Sequence, residues 1–300
     1  MKIHFLRYKN IDFEAYNRCV ENSPFATMYA LSWYLDAVSP QWELLMAEDY
    51  RYVMPLPVKR KWGLRVLVQP LFCQQLGIFS SGTLSAEVYR AFVSALPYRI
   101  CRMHFNPGNR FDSALPLRNN YCLDLNHPYT YIRGNYGSNF VRNLRKAGKE
   151  NLFPEMATEW RVFLEVLKTN AGERPIRHQL KAFEAFIEQI GKQVKIEIRS
   201  VKDERATILS SALFVRWKRR IYYLMSVSTA EGKEKQSMAF LLDKFLEDHA
   251  GNELVFDCEG SSLPGVARFY AGMGAVNECF PEFSGCGFLF AAAAFVKKLR

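Results

Sequence analysis

The sequence has few of the features that mark a metal site or an exported protein. Its seven cysteines include no C-x-x-C pair and its five histidines are scattered, so local spacing predicts no metal site. Its N-terminus lacks the long apolar segment of a signal peptide. The longest apolar run, residues 288–296, is far shorter than the roughly 20 residues that a membrane-spanning helix needs. We therefore expect a cytoplasmic protein with free thiols.

The composition indicates folded domains with a basic surface. The 300 residues are 49% hydrophobic and carry a formal net charge of +10, which excludes overall disorder and predicts an anionic partner. Nucleic acid, phosphorylated molecules and a membrane surface all fit this charge. The apolar run at 288–296, which ends in a basic tail, predicts either peripheral contact with a membrane surface or a buried terminal element.

The second half of the chain alternates between helical and extended patterns. Apolar residues recur at helical spacing in four segments, and five other segments alternate or are continuously apolar as strands are. Mixed helices and strands on one sheet predict an α/β domain of the α+β, mixed-sheet kind. The predicted helices are 160–167, 180–190, 238–249 and 266–272, and the predicted strands are 195–199, 208–217, 221–228, 253–257 and 274–283.

The first half repeats the order strand, basic turn, strand, helix, strand. The basic turn at 59–65 in the first half corresponds to the turn at 218–220 in the second. Pro55 and Pro57 remove two N–H groups on the same side, which allows only an edge strand or a bulge. The repeated order predicts an internal duplication, with an N-terminal domain at 1–130, a C-terminal domain at 131–300, and a joint near 126–138.

Two segments carry a resemblance to a known family. The first runs from Glu253 to Ala275 (ELVFDCEGS, then PGVARFYAGMGA) and resembles the last strand and helix of GNAT acyltransferases. The second, Ser138–Ala147 (SNFVRNLRKA), resembles the basic helix of FemAB-like proteins. Those proteins contain two tandem GNAT-like domains, which would explain the duplication. The resemblance is specific between Ser138 and Ala275 and vague before Ser138.

The resemblance implies acyl transfer and assigns roles to several residues. In GNAT enzymes a backbone N–H of the central strand polarises the acyl carbonyl, and here that strand is 221–228, with Ser226 and Val227 near the reacting end. The leaving group takes its proton from a tyrosine, and Tyr270 matches that position. A tyrosine with an ordinary pKa near 10 keeps this proton at neutral pH. The alternative for Tyr270 is ordinary packing in the core.

Asp257 and Glu259 are two residues apart on a predicted strand, so we expect both carboxylates on one face. They could accept the proton of an attacking amine or hold its ammonium form. The alternatives are a solvated strand end or a salt bridge to Arg268. Cys258 is expected to face the other way and to serve packing. Ser261 and Arg268 are further candidates for binding the acceptor or a phosphate.

The segment from Thr229 to Gln236 is predicted to be a loop that precedes a helix. In coenzyme A-dependent GNAT proteins this loop is rich in glycine, and its N–H groups hold the pyrophosphate. Here it contains one glycine, so coenzyme A is expected to bind weakly or not at all. Lys233, Lys235 and Gln236 remain candidates for binding the donor, with a plain solvated loop as the alternative.

Four basic residues follow the spacing i, i+3, i+4, i+7 and share one helix face: Arg142, Arg145, Lys146 and Lys149. This face predicts either a phosphate-binding surface or a merely solubilising one.

The resulting hypothesis is a FemAB-type acyltransferase that moves an acyl or aminoacyl group to an amine, and the resemblance implies an acceptor in cell-wall peptide or a related envelope precursor. The donor is either aminoacyl-tRNA or acyl-coenzyme A, and no metal is expected. Two alternatives stay open: a coenzyme A-dependent N-acetyltransferase acting on a small molecule, and a degenerate GNAT-fold protein that binds without catalysis.

Overall fold

The structure is a computed structural model that describes residues 1–61, 63–157, 159–170, 175–260 and 263–283. The described chain divides into two compact units: unit 1 contains residues up to Arg118 and from Cys279 onwards, and unit 2 contains Asn119–Glu278. The predicted domain boundary at 130 and 131 coincides with neither of these points. Ser261 and the apolar run at 288–296 lie outside the described residues.

Up to Arg118 the chain forms three α-helices and eight strands among the described residues. They are β1 (His4–Leu6), α1 (Phe13–Glu21), α2 (Ser32–Val38), β2 (Glu43–Ala47), β3 (Tyr52–Leu56), β4 (Val58–Lys61), β5 (Leu64–Val68), β6 (Phe79–Ser80), α3 (Ala86–Ser94), β7 (Arg99–His104) and β8 (Leu117–Arg118).

From Asn119 onwards the described chain forms seven α-helices and eight strands. They are β9 (Tyr121–Asp124), α4 (Tyr129–Gly134), α5 (Ser138–Ala147), β10 (Phe153–Ala157), α6 (Trp160–Asn170), α7 (Leu180–Ile190), β11 (Ile196–Lys202), β12 (Ile208–Trp217), β13 (Arg220–Ser228), α8 (Ala230–Glu234), α9 (Ser237–His249), β14 (Val255–Asp257), α10 (Pro264–Gly272), β15 (Val276–Asn277) and β16 (Phe280–Phe283).

Unit 1 contains two sheets, with strand orders β1-β2-β3-β6 and β4-β5-β7-β16-β8. The helix α1 begins at Asp12, whose carboxylate accepts hydrogen bonds from the N–H groups of Glu14 and Ala15 at 3.0 Å, because the first N–H groups of a helix have no partner within it. Pro55 lies on β3 beyond the point where β6 pairs with that strand, as its missing N–H requires.

Unit 2 is built on one seven-stranded sheet in the order β10-β11-β12-β13-β14-β9-β15. All its pairs are antiparallel except β13 with β14. Consecutive residues of β12 from Leu209 to Val215 are buried, which shows that both faces of the sheet are covered. On one face the ring of Phe245 from α9 stacks on Phe214 with centroids 3.9 Å apart.

Each unit contains a β-hairpin, then one or more helices, then a strand parallel to the second hairpin strand. In unit 1 these are β4–β5, α3 and β7, and in unit 2 they are β12–β13, α8 with α9, and β14. The mixed α/β fold with tandem GNAT-like domains that the sequence predicted is therefore confirmed. The helices and strands predicted between residues 160 and 272 are present within a few residues of their expected bounds. The single strand expected at 274–283 is instead two short strands, β15 in the sheet of unit 2 and β16 in a sheet of unit 1.

Candidate active site in unit 2

The central strand β13 extends well beyond its parallel neighbour. β13 pairs with β14 only from Arg220 to Tyr222. β14 ends at Asp257, and the next N–H, that of Cys258, donates to the carbonyl of Tyr121 on β9 at 2.8 Å. β13 meanwhile continues to Ser228 in a ladder with β12. The sheet therefore loses its parallel pairing after Tyr222, ahead of Ser226 and Val227, where the sequence placed the reacting end of the strand.

A β-bulge lies on β13 directly after this point. Phe214 of β12 pairs with Tyr223, and Leu213 pairs with Met225, so Leu224 is the additional residue. A bulge bends a strand and changes the direction of the side chains that follow it. Ser226 and Val227, the predicted donor-binding residues, follow this bulge on β13, with Ser226 half-buried and Val227 buried.

Tyr270 lies beside the end of the β13–β14 pairing. It is carried by α10, and its side chain is 9% exposed. Its ring centroid is 6.2 Å from that of Tyr223 on β13 and 6.2 Å from that of Tyr121 on β9. These aromatic neighbours are compatible with Tyr270 as a general acid and with Tyr270 as a packing residue of the core. Its catalytic role stays a prediction.

The prediction that Asp257 and Glu259 place their carboxylates on one face of a strand is wrong. Glu259 and Gly260 both have left-handed backbones, with φ of 62° and 65°, so the alternation of the strand stops after Asp257. Gly260 is needed here because a Cβ at this position would lie 2.1 Å from the carbonyl oxygen of Asn119. The two carboxylates therefore belong to a strand end and a tight turn.

Asp257 is 2% exposed and is held by two donors. Nη1 of Arg220 donates to Oδ2 at 2.6 Å, and the N–H of Glu259 donates to Oδ1 at 2.9 Å. Arg220 also contacts Sγ of Cys122 at 3.3 Å. Burial lowers the pKa of the guanidinium, but the negative groups around it outweigh this effect and raise the pKa above its ordinary value. Burial also raises the pKa of the Cys122 thiol far above its ordinary range.

Sequence reasoning missed the role of Arg220, which it assigned to the basic turn between two strands. The parallel register places Tyr222 beside Asp257, and this brings Arg220 at the beginning of β13 to the carboxylate that ends β14. Only this strand pairing reveals the contact, because the two residues are far apart in the chain. Sequence analysis gave a salt bridge to Arg268 as one alternative for Asp257. Asp257 does form a salt bridge, but its partner is Arg220.

The predicted loop at 229–236 is mostly a short helix. The Oγ1 atom of Thr229 accepts the N–H of Gly232 at 2.9 Å and caps α8. Lys235 binds Glu231 at 2.8 Å, and Nε2 of Gln236 donates to the carbonyl of Lys233 at 2.7 Å. Thr229 as a cap and Glu231 in the first turn are together a sequence signal for the start of a helix. The expectation of a loop did not take this signal into account.

The helix α5 packs against α10 through Phe140 and the residue before its first turn, Gly137. The rings of Phe140 and Phe269 meet edge to face at 5.4 Å, and the N–H of Gly137 donates to the carbonyl of Gly272 at 2.9 Å. Between the two helices is a cavity of about 260 Å³ that includes Arg268. Arg142, Arg145 and Lys146 are on α5 but do not line this cavity, and their role in binding a phosphate or the acceptor stays a prediction.

No helix in the described part of the chain is both long and apolar enough to cross a membrane. Within the same residues no group of three or more histidine, cysteine, aspartate or glutamate side chains is arranged to hold a metal ion.

No protein-family model and no curated protein sequence matches the chain. Solved structures do match it over nearly their whole length. FemX is 13% identical with a TM-score of 0.63, covering 94% of this chain and 96% of FemX. The C-terminal domain of a candidate lysylphosphatidylglycerol synthetase from Agrobacterium fabrum is 13% identical with a TM-score of 0.56, covering 95% of each chain. L-PGS from Bacillus licheniformis is 12% identical with a TM-score of 0.52, covering 96% of this chain and 95% of L-PGS. The chain therefore shares the fold of FemX and of these two proteins, as its resemblance to FemAB-like proteins predicted.

Proposed function

We propose that the chain is an acyltransferase that moves an acyl or aminoacyl group from a phosphate-bearing donor to an amine. The observation that carries this proposal is the position of Tyr270, beside the end of the β13–β14 pairing. In the GNAT fold this is where the acyl carbonyl meets the central strand and where a proton donor is needed. The cell-wall or envelope acceptor that the resemblance suggests belongs to the same proposal.

The reaction needs three functions from this site. The amine attacks the acyl carbon, a C–N bond forms, and the ester or thioester bond to the donor breaks. The developing negative charge on the carbonyl oxygen is stabilised by backbone N–H groups of β13 near Ser226 and Val227. The phenol of Tyr270 gives its proton to the leaving oxygen or sulfur. Glu259, at the turn after β14, is our candidate for accepting the proton that the amine loses.

Asp257 has a positioning role in this proposal. Its carboxylate is held by Arg220 and by the N–H of Glu259, so binding an amine would require it to give up one of these partners. The pair joins the start of β13 to the end of β14 and fixes the turn that carries Glu259. We expect Asp257→Asn to change the acceptor's KM through this turn.

The test is a transfer assay with both classes of donor. The purified chain is incubated with radiolabelled acetyl-coenzyme A or with tRNA charged with a radiolabelled amino-acid mixture, and with small-molecule and lipid fractions as acceptors. We expect Tyr270→Phe to lower kcat by about 10²–10⁴-fold. Tyr89→Phe is the matched control, because the Tyr89 hydroxyl is buried and makes no hydrogen bond among the described residues. Normal turnover by Tyr270→Phe would refute the assignment.

A non-catalytic binding protein is the second candidate, and the burial of Tyr270 within the hydrophobic core of unit 2 favours it. Transfer of no label from either donor class to any acceptor fraction supports this candidate over the enzyme. The coenzyme A-dependent alternative loses support from α8, because Thr229 already engages the N–H of its single glycine.

A further inference from the structure

Three serine hydroxyls form a hydrogen-bonded chain that joins β12, β13 and α9 inside unit 2. The Oγ atom of Ser210 on β12 lies 2.8 Å from Oγ of Ser228, at the end of β13, and 2.6 Å from Oγ of Ser237, the first residue of α9. Ser237 in turn donates to the carbonyl of Gly232 in α8 at 3.0 Å. We call the hydroxyls of Ser210, Ser228 and Ser237 the serine chain.

The serine chain is withdrawn from water. Ser210 and Ser237 are fully buried and Ser228 is half-buried. A buried hydroxyl costs free energy unless it has a hydrogen-bond partner, so each member of the chain holds the next one in place. Ser210 is opposite Ser228 in the sheet and contacts both other members. Removing its hydroxyl therefore breaks the chain in the middle.

The helix α8 depends on contacts outside itself. It contains five residues, and a helix of this length is marginal in isolation. The last carbonyls of a helix have no partner within it, and Ser237 supplies one for Gly232. A Cβ at position 232 would lie 2.8 Å from Oγ of Ser237, so glycine leaves room for this contact. At the other end of α8, the N–H of Thr229 donates to the carbonyl of Leu209 on β12 at 2.9 Å.

The segments that the serine chain joins are those that carry the candidate donor-binding residues. Ser228 lies at the end of β13, Gly232 lies within α8, and Ser237 lies at the start of α9. Every candidate is within two residues of one of these three positions: Ser226, Val227, Lys233, Lys235 and Gln236. The serine chain thus connects the two sides of the proposed donor site from behind.

We propose that the serine chain fixes α8 against the end of β13, and that Ser210 is a positioning residue for the donor. This inference rests on the proposed function, which it deepens by naming the contacts that align the donor-binding segments. In the proposed reaction the acyl group lies at β13 and the rest of the donor meets the candidate residues of α8. A shift of α8 relative to β13 therefore lowers donor affinity. Ser210 acts through Ser228 and Ser237, because its own hydroxyl is fully buried.

The same strand provides a matched control. Ser211, the next residue of β12, is also fully buried, and its Oγ lies 2.8 Å from that of Ser200 on β11. Consecutive residues of a strand point to opposite faces of the sheet, so this pair lies on the other face from the serine chain. Ser211→Ala removes an equally buried hydroxyl and leaves the serine chain intact.

The first experiment is hydrogen–deuterium exchange of the full chain, measured by mass spectrometry on peptides that cover residues 229–240. Ser210→Ala should speed exchange of these amides by about 5–30-fold, the factor expected for the loss of one or two hydrogen bonds. Ser237→Ala should do the same. The effect of Ser210→Ala/Ser237→Ala should be less than additive, because the two residues share one contact. Ser211→Ala should exchange like wild type over these residues.

The second experiment measures steady-state kinetics with acetyl-coenzyme A and with charged tRNA in turn. Ser210→Ala should raise the donor's KM several-fold, with a smaller change in kcat and none in the acceptor's KM. Ser210→Cys, whose S–H is a weak donor, should fall between Ser210→Ala and wild type, and Ser211→Ala should keep the donor's KM. A hydroxyl that serves stability alone would lower the melting temperature and leave the donor's KM unchanged.

Two exchange results would overturn the inference: unchanged exchange at residues 229–240 in Ser210→Ala, or an equal increase in Ser211→Ala. A normal donor KM in Ser210→Ala, with label transfer by wild type, would also overturn it and would leave the proposed function standing. Faster exchange in Ser210→Ala without label transfer from either donor by wild type has the opposite meaning. It sinks the proposed function and supports the fixing of α8 by the serine chain.

Discussion

Unit 2 holds its arginines in two contrasting ways. Arg220 is partly buried and is paired with the buried carboxylate of Asp257 at 2.6 Å. Arg142 and Arg268 are exposed, and neither forms a salt bridge with an acidic residue within the described part of the chain. The first arrangement uses charge to join two strands, whereas the second leaves charge available to a ligand.

The contrast indicates where mutation should affect stability and where it should affect binding. A buried charge that loses its partner is costly, since desolvation is no longer compensated. An exposed charge that loses nothing but water is nearly neutral for folding. The number of arginines does not distinguish a paired, partly buried arginine from an exposed, unpaired one. The residues that each arginine contacts make this distinction.

The largest effect is expected from breaking the buried pair. Arg220→Met should lower the free energy of unfolding by about 3 kcal/mol, because Asp257 is then left buried and charged. Arg220→Met/Asp257→Leu should recover most of this loss, since neither charge remains. Urea denaturation of the two variants beside wild type gives the comparison. If the single variant is as stable as wild type, the pair does not join β13 to β14 as described.

A middle-sized effect is expected from a second paired cluster, which lies in unit 1. Oε2 of Glu282 accepts from Nη2 of Arg102 at 2.9 Å and from Nε of Arg118 at 2.5 Å, and it lies 3.2 Å from Nε2 of His104. Burial would raise the pKa of Glu282, but the hydrogen bonds from Arg118 and Arg102 outweigh it and lower the pKa below its ordinary value of 4.5.

The sign of the resulting pH dependence follows from this lowered pKa. The stabilisation by Glu282 is fully present above pH 4.5 and is lost as the pH falls through the lower folded-state pKa. Glu282→Gln should therefore be about 2 kcal/mol less stable than wild type at pH 7. This difference in stability should narrow as the pH falls below 4.5. Thermal melts across the acid range measure it. A gap that is constant with pH contradicts the charge-based account.

The smallest effect is expected in the unpaired group. Arg145→Gln should change the free energy of unfolding by less than about 0.5 kcal/mol, with any change towards greater stability at low salt, because one source of repulsion is removed. Urea denaturation at low and high ionic strength tests this. A loss comparable to that of Arg220→Met would mean that the helix surface is structural.

Hydrophobic periodicity is sufficient to predict most of the helices and strands of unit 2. The helices α6, α7 and α9 and the strands β11 to β13 lie where the apolar residues repeat. The contacts of the candidate site are harder to predict, because they depend on how β13 and β14 are aligned in the sheet. The Arg220–Asp257 pair joins residues that no local pattern connects. The left-handed backbone at Glu259 ends the strand alternation that the sequence predicts there.

The short elements were predicted least well. α4 lies where a glycine- and proline-containing joint was expected, and α8 lies where a loop was expected. Helices of this length are marginal on their own and form here because tertiary packing supports them. Gly232 of α8, for instance, is buried against the backbone of β12.

That packing bears on how related sequences should be compared. A Cβ at position 232 would lie 2.1 Å from the carbonyl oxygen of Leu209, so in a saturation library of this segment we expect no other residue to be tolerated there. A profile built from homologues would then show an invariant glycine at the place where coenzyme A-dependent relatives hold their pyrophosphate. Its invariance would reflect steric exclusion by β12 and would carry no information about the donor.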